Sequence, residues 1–219
     1  MRTERNTRIG DAAVKEEISS NYEKLSEQWR RDFLGWDQEA MCRKLGITDY
    51  DEDSIRLSYF GIRFRIDRKT GLISRPGEPE YVPSFNTQMA IYHLLFYSSE
   101  HPRNSGEWVN FREVKNAGVF EKAFEKIVLR PFAQAFDGRT EAFEEAGRKL
   151  GFVPIPYGDA AFEVPAFSCI PIRVMFWDGD EEFPAKLTML FDRNITQFTH
   201  PETVVLLAEE CMGFFLKML

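Results

Sequence analysis

Four carboxylates, Asp178, Asp180, Glu181 and Glu182, fall within five consecutive positions of the segment WDGDEEFPAKLTMLFD, residues 177–192. Like charges this close raise the free energy of the folded chain unless water, a cation or a basic partner relieves them. Asp178, Asp180 and Glu182 alternate, so they can direct oxygens at one hard divalent cation, with carbonyls and water completing the shell. The spacing is not that of an EF-hand. With Asp178 as the first ligand, Phe183 stands where glycine is needed and Met189 where the closing glutamate is needed. The alternative is a solvated Asp-Gly turn whose charges blunt a sheet edge. The solvated turn is the more common outcome for such a cluster, and Trp177, Phe183 and Pro184 beside the charges keep the binding role open.

Two further segments add candidates. In 106–113, GEWVNFRE, Trp108 and Phe111 can anchor a loop to the core, while Arg112 can meet the acidic cluster, meet an anionic ligand, or stand on the surface at a helix start. Asp159, in YGDA, is a turn residue or a site carboxylate. The binding candidates are therefore Trp108, Arg112, Asp159, Trp177, Asp178, Asp180, Glu181, Glu182 and Phe183, and no catalytic residue is assigned. His93, His101 and His200 lie far apart and open no H-x-x-x-H or H-E-x-x-H pattern, so each is read as structural. The chain carries no G-x-G-x-x-G, no P-loop and no G-x-S-x-G elbow.

These groups need elements to position them. Residues 11–33 read as an amphipathic helix capped by Asp11, with Val14, Ile18, Tyr22, Leu25 and Trp29 on its apolar face and a frayed basic stretch before it. A second helix, about 37–45, ends at Gly46. Residues 54–73 change to period two, with Ile55, Leu57 and Tyr59, then Ile62, Phe64 and Ile66, on one side. Phe60-Gly61 is a tight turn or a bulge. Ser84 caps a helix to about 98, Asn110 to Glu113 resemble a capping box, and 118–136 is helical with a break at Pro131. A helix over 140–150 closes at Gly151. Strands follow at 161–164, 170–177 and 185–192, which puts the acidic cluster at a hairpin tip. Thr199 is the expected N-cap of the last helix.

The resulting fold class is α+β: an antiparallel sheet built from 54–73 and 161–192, covered by helices, with an N-terminal helical arm. The arm is residues 1–50 and the α+β domain 51–219. The net charge of −7 argues against nucleic acid as partner. The absence of an apolar leader and of any long apolar run predicts no export signal and no membrane span. Three scattered cysteines, Cys42, Cys169 and Cys211, fit unpaired, buried thiols in a reducing cytoplasm. Twenty phenylalanines demand a large aromatic core, which either packs solidly or leaves a pocket for a flat apolar ligand.

The segments LSYFGIRFRID (57–67), WVNFRE (108–113), Asp159 and above all the 177–192 signature resemble a prokaryotic domain-of-unknown-function family, number 3786, over roughly residues 50–215. The resemblance implies, by association with cysteine-rich relatives, a setting near corrinoid or one-carbon metabolism in anaerobes. This chain has no four-cysteine run, so it carries no iron–sulfur cluster of its own. Three functions stand open. The first is a cytoplasmic module binding a small molecule or a protein. The second is a carboxylate-dependent, divalent-metal hydrolase or transferase. The third is an interaction protein using the acidic hairpin.

Overall fold

Proline, glycine and side-chain caps set most of the element boundaries. The computed structural model describes residues 20–78 and 80–219. The expected cap Asp11, the positions Val14 and Ile18, and the basic stretch lie outside them. Helix α1 runs over 20–33, with Tyr22 and Leu25 exposed and Phe33 fully buried. Trp29 packs on Trp36, His93 and Phe96. Helix α2, Gln38–Leu45, starts where the Asp37 side chain accepts from the Ala40 N–H at 2.9 Å, and stops at Gly46, whose φ of 65° is left-handed.

Strands β1, Ser54–Tyr59, and β2, Ile62–Asp67, form a hairpin, to which the short β3, Ile73–Ser74, is added. Phe60 and Gly61 both have positive φ, 48° and 77°, so the turn is the tight two-residue kind and not a bulge. Positive φ is costly for phenylalanine. Two contacts hold it: the Phe60 ring is buried, and its N–H donates to the Ala166 carbonyl at 2.9 Å.

Helix α3, Phe85–Tyr97, is capped by the Ser84 hydroxyl on the Thr87 N–H. Strand β4, Trp108–Asn110, leads into a single 3-10 turn, Phe111–Glu113. The capping box is present, with Glu113 accepting from the Asn110 N–H at 3.2 Å, but it opens one turn and not a long helix. After another 3-10 turn, Gly118–Phe120, the chain forms α4, Glu121–Phe124, a π-helical turn, Glu125–Leu129, and α5, Arg130–Phe136. The wide turn sits where Pro131 lacks an N–H and where its ring would clash with the Ile127 carbonyl in a regular helix. The break expected at Pro131 is thus absorbed without ending the helical path.

Helix α6, Thr140–Lys149, precedes β5, Val153–Pro154, β6, Ala160–Phe167, β7, Ile170–Trp177, and β8, Lys186–Asp192. The strand expected at 161–164 is longer than the sequence suggests, because β6 pairs with β7 along nearly its whole length. Five antiparallel strands make one sheet in the order β4-β8-β7-β6-β5, and β1 to β3 make a second. The single sheet expected from 54–73 and 161–192 is therefore two. They meet through packing between β1 and β6 and the Phe60 hydrogen bond, not through a shared ladder.

Helix α7, Pro201–Leu216, closes the fold. Its N-cap is His200, not Thr199. His200 has the extended backbone a cap requires, and its Nδ1 accepts from the Glu202 N–H. Thr199 is still tied to the preceding 3-10 turn through its N–H to the Ile195 carbonyl, and its hydroxyl is buried without a partner. His93 donates to or accepts from the Thr203 hydroxyl at 2.7 Å, and burial, helped by His200, lowers its pKa to about 4. It is a satisfied core histidine. The three cysteines are unpaired, and burial raises Cys42 and Cys169 to about 11 and pushes Cys211 up further. No helix among the described residues is long and apolar enough to cross a membrane.

The phenylalanines pack ring on ring. Phe143 stacks on Phe215 at 4.7 Å and on Phe176 at 5.2 Å, with Phe132, Phe136 and Phe162 around them. This solid core leaves no room for added atoms. A Cβ on Gly147 would sit 2.4 Å from the Phe162 ring, which is itself buried. Gly147→Ala should therefore destabilise the protein by about 1–3 kcal/mol through overpacking, despite alanine's better helix propensity. Equal or higher stability in a urea titration would show that the α6–β6 contact yields freely.

Candidate functional site

The β7–β8 hairpin carries the acidic segment at its tip, as the alternation of both strands dictates. The two aspartates there are already employed. Asp178 accepts from the Gly138 N–H at 2.6 Å and from the Thr140 hydroxyl at 2.7 Å, so it caps α6 from outside that helix. Burial pushes its carboxyl up, but the hydrogen bonds from Thr140, Gly138 and Gly179 outweigh this and hold it below the usual range. Asp180 closes the turn by accepting from the Phe183 and Glu182 N–H groups, which lower its pKa. Asp159 accepts from the Asp178 N–H at 2.7 Å and so pins the start of the turn. A Cβ on Gly179 would lie 2.6 Å from the Asp137 carboxylate and 3.0 Å from the Ala185 nitrogen, so the turn is closely approached there.

The expected cation ligands Asp178, Asp180 and Glu182 are not gathered about one point in this geometry. Among the described residues no group of three or more His, Cys, Asp or Glu side chains gathers where one ion can be held. Asp178 points back toward α6 and Asp180 into its own turn, each drawn by backbone donors that a metal would have to displace. Repulsion in the cluster is relieved by N–H groups. Arg112 does not supply the relief: it is exposed and forms no ion pair with the tip among the described residues.

What the tip borders is a cleft of about 1200 Å³ between the hairpin and the wall formed by the 3-10 turn after β4, α4, the π turn and α5. Its apolar lining comes from Phe111, Phe124, Leu129, Ala133, Leu187 and Met189. Its charged rim has Arg112, Arg130 and Lys186 against Glu121, Glu125, Asp159, Asp178 and Asp180. None of the three cations is in an ion pair among the described residues, although Lys186 lies 5.7 Å from the Trp177 ring centre.

Six of the nine sequence candidates, Arg112, Asp159, Trp177, Asp178, Asp180 and Phe183, line this one cleft. The other three do not. Trp108 lies under the Arg173 guanidinium, 4.0 Å from its ring centre, and Arg173 also pairs with Glu163. Glu181 and Glu182 stand exposed at the tip. The helical wall, with Glu121, Glu125, Leu129 and Arg130, escaped the sequence reading. Its signal was Pro131 inside a helical pattern, since that proline creates the π turn that presents Leu129 and Arg130.

A family model for a domain of unknown function, DUF3786, matches residues 37–213. The chain belongs to the DUF3786 family. No curated protein and no solved structure matches it. The DUF3786 match takes in α2, both sheets, the whole cleft wall and the acidic hairpin, and it ends within α7.

Proposed function

We propose that this DUF3786 protein is a binding module of the cytoplasm that holds its ligand or partner in the cleft between the acidic hairpin and the α4–α5 wall. The observation that carries the reading is the lining itself: an apolar floor bordered by charges of both signs, three of them cations without an ion-pair partner among the described residues. Exposed arginine and lysine heads over apolar surface are what recognition sites use to orient a bound group. The carboxylates with shifted pKa there, Asp178 and Asp180, are shifted downward, so neither holds the proton a general acid needs at neutral pH. The cytoplasmic setting is supported by three unpaired thiols.

Titration with 3-phenylpropionate and with phenethylamine, read by the methyl signals of Met189, Leu187 and Leu129, tests this. Each probe has an apolar body and one charge. Shifts centred on those three residues, with Leu57 and Ile66 in the other sheet unmoved, are expected for at least one probe. Shifts spread over the surface, or none from any of them, would remove the cleft from consideration.

A further inference from the structure

The charges around the cleft are not equivalent. Its aspartates already accept hydrogen bonds from the protein. Asp178 takes the Gly138 and Gly179 N–H groups and the Thr140 hydroxyl, Asp180 takes the Glu182 and Phe183 N–H groups, and Asp159 takes that of Asp178. The cations have no such partners. Among the described residues, the Arg112 and Arg130 side chains donate no hydrogen bond and enter no ion pair. The Lys186 ammonium meets only the Trp177 ring, 5.7 Å from its centre. Most of the other described arginines, Arg30, Arg68 and Arg173 among them, are in ion pairs.

Guanidinium and ammonium groups donate hydrogen bonds and accept none. The unmet hydrogen-bonding capacity of the cleft is therefore mainly donor capacity, although its acids outnumber its cations. Glu121 and Glu125 are the acids left over. Both are exposed, and neither pairs with the three cations. Those cations come from both walls. Arg112, in the 3-10 turn after β4, and Arg130, at the end of the π turn, stand on the helical wall, while Lys186 opens β8 on the hairpin. Leu187 and Met189 are buried, so the apolar surfaces open to a guest are the half-buried Leu129 and Trp177 and the Phe183 ring, which is 67% exposed.

We propose that the cleft binds an aromatic anion, with its ring against Phe183 and Trp177 and its carboxylate or phosphate group held by Lys186, Arg112 and Arg130. The inference rests on the cleft being a binding site, and adds the sign and the chemistry of what binds there. The planar guanidinium fork matches the paired oxygens of carboxylate and phosphate alike. An anion brings the acceptors that the three cations lack. A cationic ligand would meet aspartates whose oxygens are engaged, with three like charges beside them. On binding, Lys186 exchanges the Trp177 face for the anion, and the ligand ring takes that face.

The full chain is titrated with 3-phenylpropionate, phenyl phosphate, phenethylamine and the neutral 3-phenylpropan-1-ol, read by the Leu129 methyl and Trp177 indole signals. At least one anion should bind about tenfold or more tightly than the alcohol, and the amine more weakly than the alcohol. The tighter of the two anions assigns the group as carboxylate or phosphate. Added salt should weaken the anions and spare the alcohol. Arg112→Gln, Arg130→Gln and Lys186→Gln, all at exposed positions, should each weaken the anions by about threefold or more, within the range of exposed ion pairs. Arg130→Lys keeps the charge without the fork and should fall between. Arg103→Gln removes another exposed arginine without an ion pair, outside the cleft, and should change nothing. Tighter binding of the amine, equal binding of alcohol and anions, or anion binding indifferent to all three glutamine substitutions would overturn the anion. The cleft reading survives those results if any probe moves the Leu129 methyls. If none does, both fall together.

Discussion

Replacing Asp192 by alanine is expected to lower stability by about 2–3 kcal/mol, since several N–H groups lose their acceptor together. Asp192 is only 3% exposed and sits at the far end of β8 from the acidic turn. Its two oxygens accept from the Ser105 N–H and hydroxyl, the Gly106 N–H and the Asn194 N–H, at 2.7 to 3.0 Å. These bonds fold the loop before β4 onto the end of β8. For a chain of this size the loss corresponds to roughly 4–12 °C in Tm. The effect has a pH signature. Burial pushes the Asp192 carboxyl up, and the hydrogen bonds from Ser105, Asn194 and Gly106 outweigh it and leave it below its ordinary value. A depressed carboxylate stabilises the fold fully above its unfolded pKa, about 3.9, and this contribution is lost as pH falls through the lower folded value. The gap between wild type and Asp192→Ala should therefore be complete at pH 7 and narrow below about pH 4. A gap that is small at pH 7, or that widens in acid, would mean that water satisfies the loop without the carboxylate.

Asp178→Ala should cost about 1–2 kcal/mol, the range for losing a helix N-cap, although Asp178 lies 38 residues from the helix it caps. Amide exchange at Gly138 and Thr140 should accelerate, since their contacts to the hairpin are removed. The same substitution frees one side of the hairpin tip, so binding in the cleft should weaken along with stability. Glu181→Gln, three positions from Asp178 in an exposed part of the turn, is the matched control and should alter stability little. A stable Asp178→Ala protein with unchanged exchange at Gly138 would show that the α6 start is held by its own local contacts.

The two substitutions mark what in this fold is local and what is not. The Ser84 cap, the Gly46 stop, the turn or bulge at Phe60-Gly61, the period-two strands and the helix starting at Thr140 were all legible in the sequence. Each depends on residues within about one turn of one another, where backbone preference and side-chain capping act without reference to the rest of the chain. Thr199 misled because Thr and His can both cap before a proline. The outcome hung on how the 3-10 turn of Ile195 left the preceding backbone.

By itself the sequence determined the α+β class, the hairpin and the crowding of carboxylates at its tip, because period and turn chemistry are written in adjacent residues. The tertiary structure decided what those carboxylates face. Whether Asp178 meets a cation, an arginine or a helix start depends on where α6 packs, and α6 is placed by Phe143 and Gly147 against Phe162, Phe176 and Phe215. The short pairing of β8 with β4 is of the same kind. No residue of β8 announces it: it exists because β4 ends after three pairs and the chain turns away at Phe111, which only the folded register brings opposite Met189.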